Sequence, residues 1–149
     1  TDIFVSRPDS GYAPVPYLRS PSNESQPRVS PDGKLLAFVS DELGSSQIWM
    51  RDFPVPQGKW NLSGGSAAGP RWSPDGRYVY YWRPGPLDSL FRVRIERSPS
   101  IVVRSPEFVY AVDVDGIVNW DLHPDGRRFV APVPVSSTGN TGGAAPARY

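Results

Sequence analysis

The sequence predicts an all-β fold assembled from repeated four-stranded units, on three observations. First, Ser30-Pro31-Asp32-Gly33 recurs 43 residues later as Ser73-Pro74-Asp75-Gly76, and again in altered form as His123-Pro124-Asp125-Gly126. A fixed period of this kind is the mark of a repeat architecture. Second, each copy is followed by a basic residue and a short apolar run rich in Val and aromatics: Leu35–Val39, Tyr78–Trp82 and Phe129–Val133. Runs of this length bounded by Gly, Pro, Asp and Ser read as strands. Third, no segment shows a 3.6-residue apolar period, and the 18 prolines and 14 glycines interrupt the chain every few residues. No helix of consequence is expected.

Each element follows from local chemistry. Pro27-Arg28-Val29 leads into the first turn and Pro70-Arg71-Trp72 into the second, so a strand, A, ends at each turn. In Pro-Asp-Gly the proline presets φ at the first corner and the glycine accepts the positive φ that closes the turn. The run that follows is strand B. It lacks polar alternation, which predicts burial on both faces. Gln47–Arg51 is strand C; it matches Asp2–Ser6 and Leu90–Arg94. Short segments such as Trp60-Asn61-Leu62 supply strand D. Four strands in about 43 residues are the measure of a β-propeller blade, whose sheets are covered on both faces by their neighbours.

Segment 1–135 is thus expected to be half a propeller. Residues 2–19 give C and D, 26–62 and 69–110 give a full blade each, and 118–135 give A and B. Residues 136–149, rich in Ser, Thr, Gly, Ala and Pro, read as a flexible tail. Three blades' worth of strands cannot close, because closed rings take ~4–8 blades. The terminal halves are complementary, which favours a homodimer closing as a six-bladed ring. Ile3, Phe4 and Val5 of one chain would then meet Trp120, Leu122, Phe129 and Val130 of the other. The other reading is a piece of a longer propeller, and the start at Thr1 leaves open whether that is the native first residue.

The stretch Pro27–Asp41, with its second copy Pro70–Trp82, resembles the WD-like repeat of TolB-type propellers. Residues 23–72 are similar to the propeller attached to many bacterial serine/threonine kinases and transcription regulators. The resemblance extends over residues 1 to about 135. It implies a bacterial six-bladed fold, with an extracytoplasmic setting ahead of a cytoplasmic one. The chain has no Gly-rich phosphate loop, His-Arg-Asp or Asp-Phe-Gly motif, so kinase chemistry does not carry over.

Composition narrows the chemistry. The charge is +1, from 16 basic and 15 acidic residues, which argues against bulk electrostatic binding of nucleic acid. There is no Cys, so disulfides and thiolate metal sites are excluded. No apolar run is long enough to insert into a membrane as a helix. His123, the single imidazole, stands where the other copies have Ser and reads as a turn cap ahead of a catalytic group. No Gly-x-Ser-x-Gly elbow occurs, and Ser63–Ser66 reads as a loop. Asp113-Val114-Asp115-Gly116 opens like a calcium loop, but position twelve is Pro124, not Glu.

No cofactor, metal or catalytic set is therefore expected. Asp32, Asp75 and Asp125 share one repeat position and read as turn carboxylates. Arg28, Arg71 and Asp121 share another, on the strand nearest a propeller's axis. They are read first as salt bridges between blades and second as a charged funnel for a ligand or peptide end. Asn23 and Glu24, in the loop entering strand A, join the candidate ligand-binding set with His123. Asn23-Glu24-Ser25 and Asn61-Leu62-Ser63 also match glycosylation sequons, a weak signal without secretion. The functional expectation is a non-enzymatic module that binds a protein or small ligand at its loop face or channel mouth. The alternatives are the propeller of a prolyl-oligopeptidase-like hydrolase or of a kinase-linked sensor, or a lyase or hydrolase with an axial site.

Overall fold

The computed structural model describes residues 1–112, 117 and 119–132. The expected flexible tail, and the Asp113–Gly116 turn, lie outside the described residues. Among the described residues there is no α-helix, only a single 3-10 turn at Pro8–Ser10. None is therefore long and apolar enough to cross a membrane.

Among the described residues thirteen strands form four antiparallel sheets. β1 (Ile3–Val5) and β2 (Val15–Leu18) make a hairpin. β3 (Glu24–Val29), β4 (Leu35–Ser40), β5 (Gln47–Asp52) and β6 (Lys59–Asn61) make a meander in chain order. β7 (Ala68–Trp72), β8 (Tyr78–Arg83), β9 (Asp88–Glu96), β10 (Val102–Val103) and β11 (Glu107–Val112) make the third sheet. β12 (Asp121–Leu122) and β13 (Phe129–Val130) form a last, short hairpin.

The turns between first and second strands work as their residues dictate. The Gly33 N–H donates to the Ser30 carbonyl at 2.8 Å, and Gly76 and Gly126 do the same to Ser73 and His123. All three glycines are left-handed, at φ +72°, +67° and +68°, a region that favours residues without a Cβ. The aspartate beside each glycine accepts a backbone N–H two residues on: Lys34, Arg77 and Arg127. The Ser30 and Ser73 hydroxyls donate to the same carboxylates at 2.6 Å. The turn carboxylates thus have a structural job in all three places.

The third sheet departs from the sequence expectation. Where one fourth strand is expected, the structure has two, β10 and β11, laid end to end along the nine residues of β9. Val102 and Val103 pair Glu96 and Ile95, and Glu107–Val112 pair Arg92–Asp88. Between them lies Arg104-Ser105-Pro106, and Pro106 has no N–H to continue the ladder.

The sheets stack face to face, with three apolar layers between them. β4 and β8 contribute to both sides, as strict alternation of side chains requires. Leu35, Ala37 and Val39 face Val79 and Tyr81 in the central layer, with Ile48, Met50, Val93 and Ile95. Leu36 and Phe38 turn the other way, onto Ile3 and Tyr17 of the first hairpin. Tyr80 and Trp82 pack on Trp120, with Phe129 of the last hairpin against them. Two-sided cover is why these runs carry no polar alternation. Each large apolar side chain so buried contributes roughly 1.5–3 kcal/mol. The outer edges are different. Among the described residues β1 pairs only β2 and β13 pairs only β12, while Phe4 is 45% and Val130 68% exposed.

Candidate functional site

The first strands of the successive sheets, β3, β7 and β12, pack beside one another. Two of them carry the same irregularity. β3 bulges between Ser25 and Arg28 and β7 between Ala68 and Arg71. The bulged residues are left-handed, Gln26 at φ +52° and Gly69 at +66°. Gln26 has a side chain, and its amide oxygen accepts the Gly69 N–H at 2.7 Å. Trp72 Nε1 donates to the Arg28 carbonyl at 2.9 Å, and Trp120 Nε1 to the Gly69 carbonyl at 2.9 Å. Each first strand is thereby bonded to the next. A bulge re-aims the residues after it, and here those residues are Arg28 and Arg71.

The two arginines begin alike. Arg28 Nη1 donates to the Pro27 carbonyl and Arg71 Nη1 to the Pro70 carbonyl, both at 2.9 Å. Arg71 is then held further. Its Nε and Nη2 donate to the Trp120 carbonyl at 3.1 and 2.8 Å, its Nε is 3.6 Å from Asp121 Oδ1, and its guanidinium lies over the Trp120 ring. Burial, and then the neighbouring Arg28 charge, pull the Arg71 pKa below its usual value, against the Asp121 carboxylate. Arg28 has no ion pair among the described residues. The result is a row of two like charges, Arg28 and Arg71, with one carboxylate, Asp121, beside Arg71. Beside Arg71 lies a groove of about 370 Å³ lined by Asn119, Trp120, Asp121 and Val130–Pro132.

Of the six candidate ligand-binding residues, the structure brings together Arg28, Arg71 and Asp121. His123 is a turn residue: its Nδ1 accepts the Asp125 N–H at 3.2 Å, and Arg128 Nη2 lies 3.2 Å from its Nε2. Asn23 is bound to the end of β4, its N–H and Nδ2 donating to the two Asp41 carboxylate oxygens at 2.8 and 2.7 Å. Those bonds, the side-chain amide first, hold the Asp41 carboxyl below the usual range. Glu24 does not line a mouth. It is 2% exposed, and its Oε1 accepts the Ser20 hydroxyl at 2.6 Å and that of Ser40 at 3.5 Å. The position shared by Glu24, Ala67 and Ile117 in the three copies is buried in each.

Of the expected seam residues, Phe4 and Val130 lie exposed at open edges, whereas Ile3 and Trp120 are buried within the chain. Sequence reasoning passed over Gln26; its alignment with Gly69, 43 residues on, is the signal that marks a left-handed position. Among the described residues, no group of three or more His, Asp or Glu could hold a metal ion. No protein-family model matches the chain, and no curated protein matches it either.

Proposed function

We propose that this chain is a non-catalytic β-propeller module of the TolB-like kind, binding the carboxylate end of a protein or small ligand at its first strands. The observation that carries the reading is the row β3, β7, β12, with Arg28 and Arg71 presented on neighbouring strands and only Asp121 to balance them. An arginine pair with one carboxylate is suited to clamp a second, planar carboxylate. The stacking of whole sheets between two half-sheets supports the propeller reading. In it β13 of a second copy adds to β1, and two chains close a six-bladed ring.

Two measurements on the same protein test this. Light scattering across a dilution series is expected to give twice 16.4 kDa, and Phe4→Lys with Val130→Lys is expected to give the monomer mass. A wild-type monomer mass or a spread of aggregates would sink the two-chain ring. A short peptide with a free C-terminal carboxylate is expected to bind, its amidated form to fail, and Arg28→Gln to abolish binding. Equal binding of both peptides refutes the carboxylate clamp.

A further inference from the structure

A second basic site lies elsewhere, at the break between β10 and β11. There the loop after β6 and the Arg104-Ser105-Pro106 break enclose a groove of about 430 Å³, lined among others by Asn61, Ser63, Gly64, Arg83, Arg104 and Ser105. It shares no lining residue with the groove beside Arg71.

Its charge sets it apart. Four other grooves of the described structure each have at least one carboxylate in their walls: Asp32, Asp75 and Glu96 in one, Asp9, Asp121, and the pair Asp75 and Asp125 in the others. The groove at the strand break has two arginines and no carboxylate in its lining. Arg83 has no ion pair among the described residues. Its guanidinium lies over the Phe91 ring, 4.4 Å from the centroid, and its Nη2 donates to the Ser63 carbonyl. Its Nε is buried without an acceptor. A guanidinium fixed by an aromatic face and one carbonyl is oriented before any ligand arrives, so little side-chain entropy remains to be lost on binding. Arg104 comes from the strand break. It is half exposed, and its Nη2 donates to Glu96, outside the lining, at 2.7 Å. Its remaining N–H groups are open to a ligand, and Ser105 adds a hydroxyl.

We infer that this groove binds a tetrahedral oxyanion, the phosphate or sulfate group of a small molecule. Arg83, without an ion pair among the described residues, and Arg104, shared with Glu96, give the charge, and their several N–H donors suit an acceptor with oxygens pointing in several directions. The volume exceeds that of the ion alone. The organic remainder is expected to lie on Val103 and Pro106, in the apolar part of the wall. The inference also gives the strand break a use: a continuous ladder along β9 would fill the space.

The test is a titration of the 15N-labelled chain with inorganic phosphate and, separately, sodium sulfate, at constant ionic strength set with chloride. Saturable shifts are expected at the Gly64 and Ser105 amides and at Arg83 Nε–H. Arg83→Gln is expected to weaken binding about tenfold or more, a loss of order 1.4 kcal/mol. Arg104→Gln, on the solvent side and remote from the core, is expected to weaken it several-fold while the spectrum stays native. Lys34→Gln, a change of the same charge elsewhere, is expected to leave it unaltered. If Arg83→Gln does not fold, Arg104→Gln decides. A response to phosphate alone, or to sulfate alone, identifies the group preferred. No saturation by about 20 mM, equal shifts with chloride, or equal affinity in Lys34→Gln and Arg104→Gln overturns the inference.

Discussion

Replacing Gly69 by alanine probes the join between β7 and the last hairpin. The backbone there is left-handed at φ +66°, and a Cβ would lie 2.7 Å from Trp120 Nε1 and 3.3 Å from its Cδ1. Two costs follow. The left-handed conformation costs an L-residue roughly 1–2 kcal/mol. The clash then drives Trp120 away, although it is 3% exposed, edge-on to Trp82 and Phe129, and bonded through Nε1 to the Gly69 carbonyl. Overpacking with loss of that bond adds about 2–3 kcal/mol. Gly33→Ala is the control: its φ is +72°, and nothing lies within 4 Å of the added methyl. It bears only the backbone cost. Urea unfolding followed by circular dichroism is expected to place Gly69→Ala roughly 2–3 kcal/mol below Gly33→Ala. Trp120 emission is expected to shift to the red in the first variant and not in the second. Equal destabilisation of the two would falsify the claim that Trp120 on the Gly69 carbonyl fastens the hairpin.

Two titrations give further checks. The Ser73 hydroxyl and then the Arg77 N–H hold the Asp75 carboxyl below its usual value. A depressed folded pKa means stability that is present above the unfolded value of about 4 and is lost as pH falls through the folded one. Asp75→Asn is therefore expected to lower the urea midpoint at neutral pH and to approach wild type in acid; a gap that is constant with pH contradicts the turn's role. Burial first, and then Asp52, push Tyr17 up to about 12, against the nearby Arg51 charge. Its hydroxyl donates to the Asp52 carbonyl. The raised value means a contribution that is intact below the unfolded pKa of about 10 and is lost as pH rises toward the folded one. Burial raises the Tyr81 phenol too, so phenolate absorbance is expected to show late titration from Tyr17 and Tyr81, with one late-titrating tyrosine fewer in Tyr17→Phe.

Much of the fold was legible because it depends on local chemistry. Pro-Asp-Gly can close a turn in few ways, and all three copies close it with the glycine at positive φ. Tyr78–Trp82 announced two-sided burial through the absence of alternation, and Val79 and Tyr81 do face one layer while Tyr80 and Trp82 face another. The split of the fourth strand was not legible, since neither β10 nor β11 has a pattern of its own and both are placed by the length of β9. Glu24 misled for a related reason. A charged residue near a loop suggests a surface, and only the packing of Ser20 and Ser40 around it gives a carboxylate a buried place. At the candidate site the shared position of Arg28, Arg71 and Asp121 was visible in the repeat. The Trp120 carbonyl that holds Arg71 was not, because it comes from 49 residues away.

The bonds that run between first strands have a consequence for how the molecule comes apart. Gln26 holds Gly69, Trp72 holds Arg28, and Trp120 holds Gly69, so every one of these bonds joins a sheet to an adjacent sheet. Free energy arranged in this way is nearest-neighbour in form, a one-dimensional sum over sheets and the contacts between them. Loss of the β12–β13 hairpin uncovers Tyr80 and Trp82 on β8 and leaves the layer between β4 and β8 its own contacts. Unfolding is accordingly expected to travel inward from the outermost hairpins, and amide exchange to be slowest on β4 and β8, the strands with a neighbour on each face.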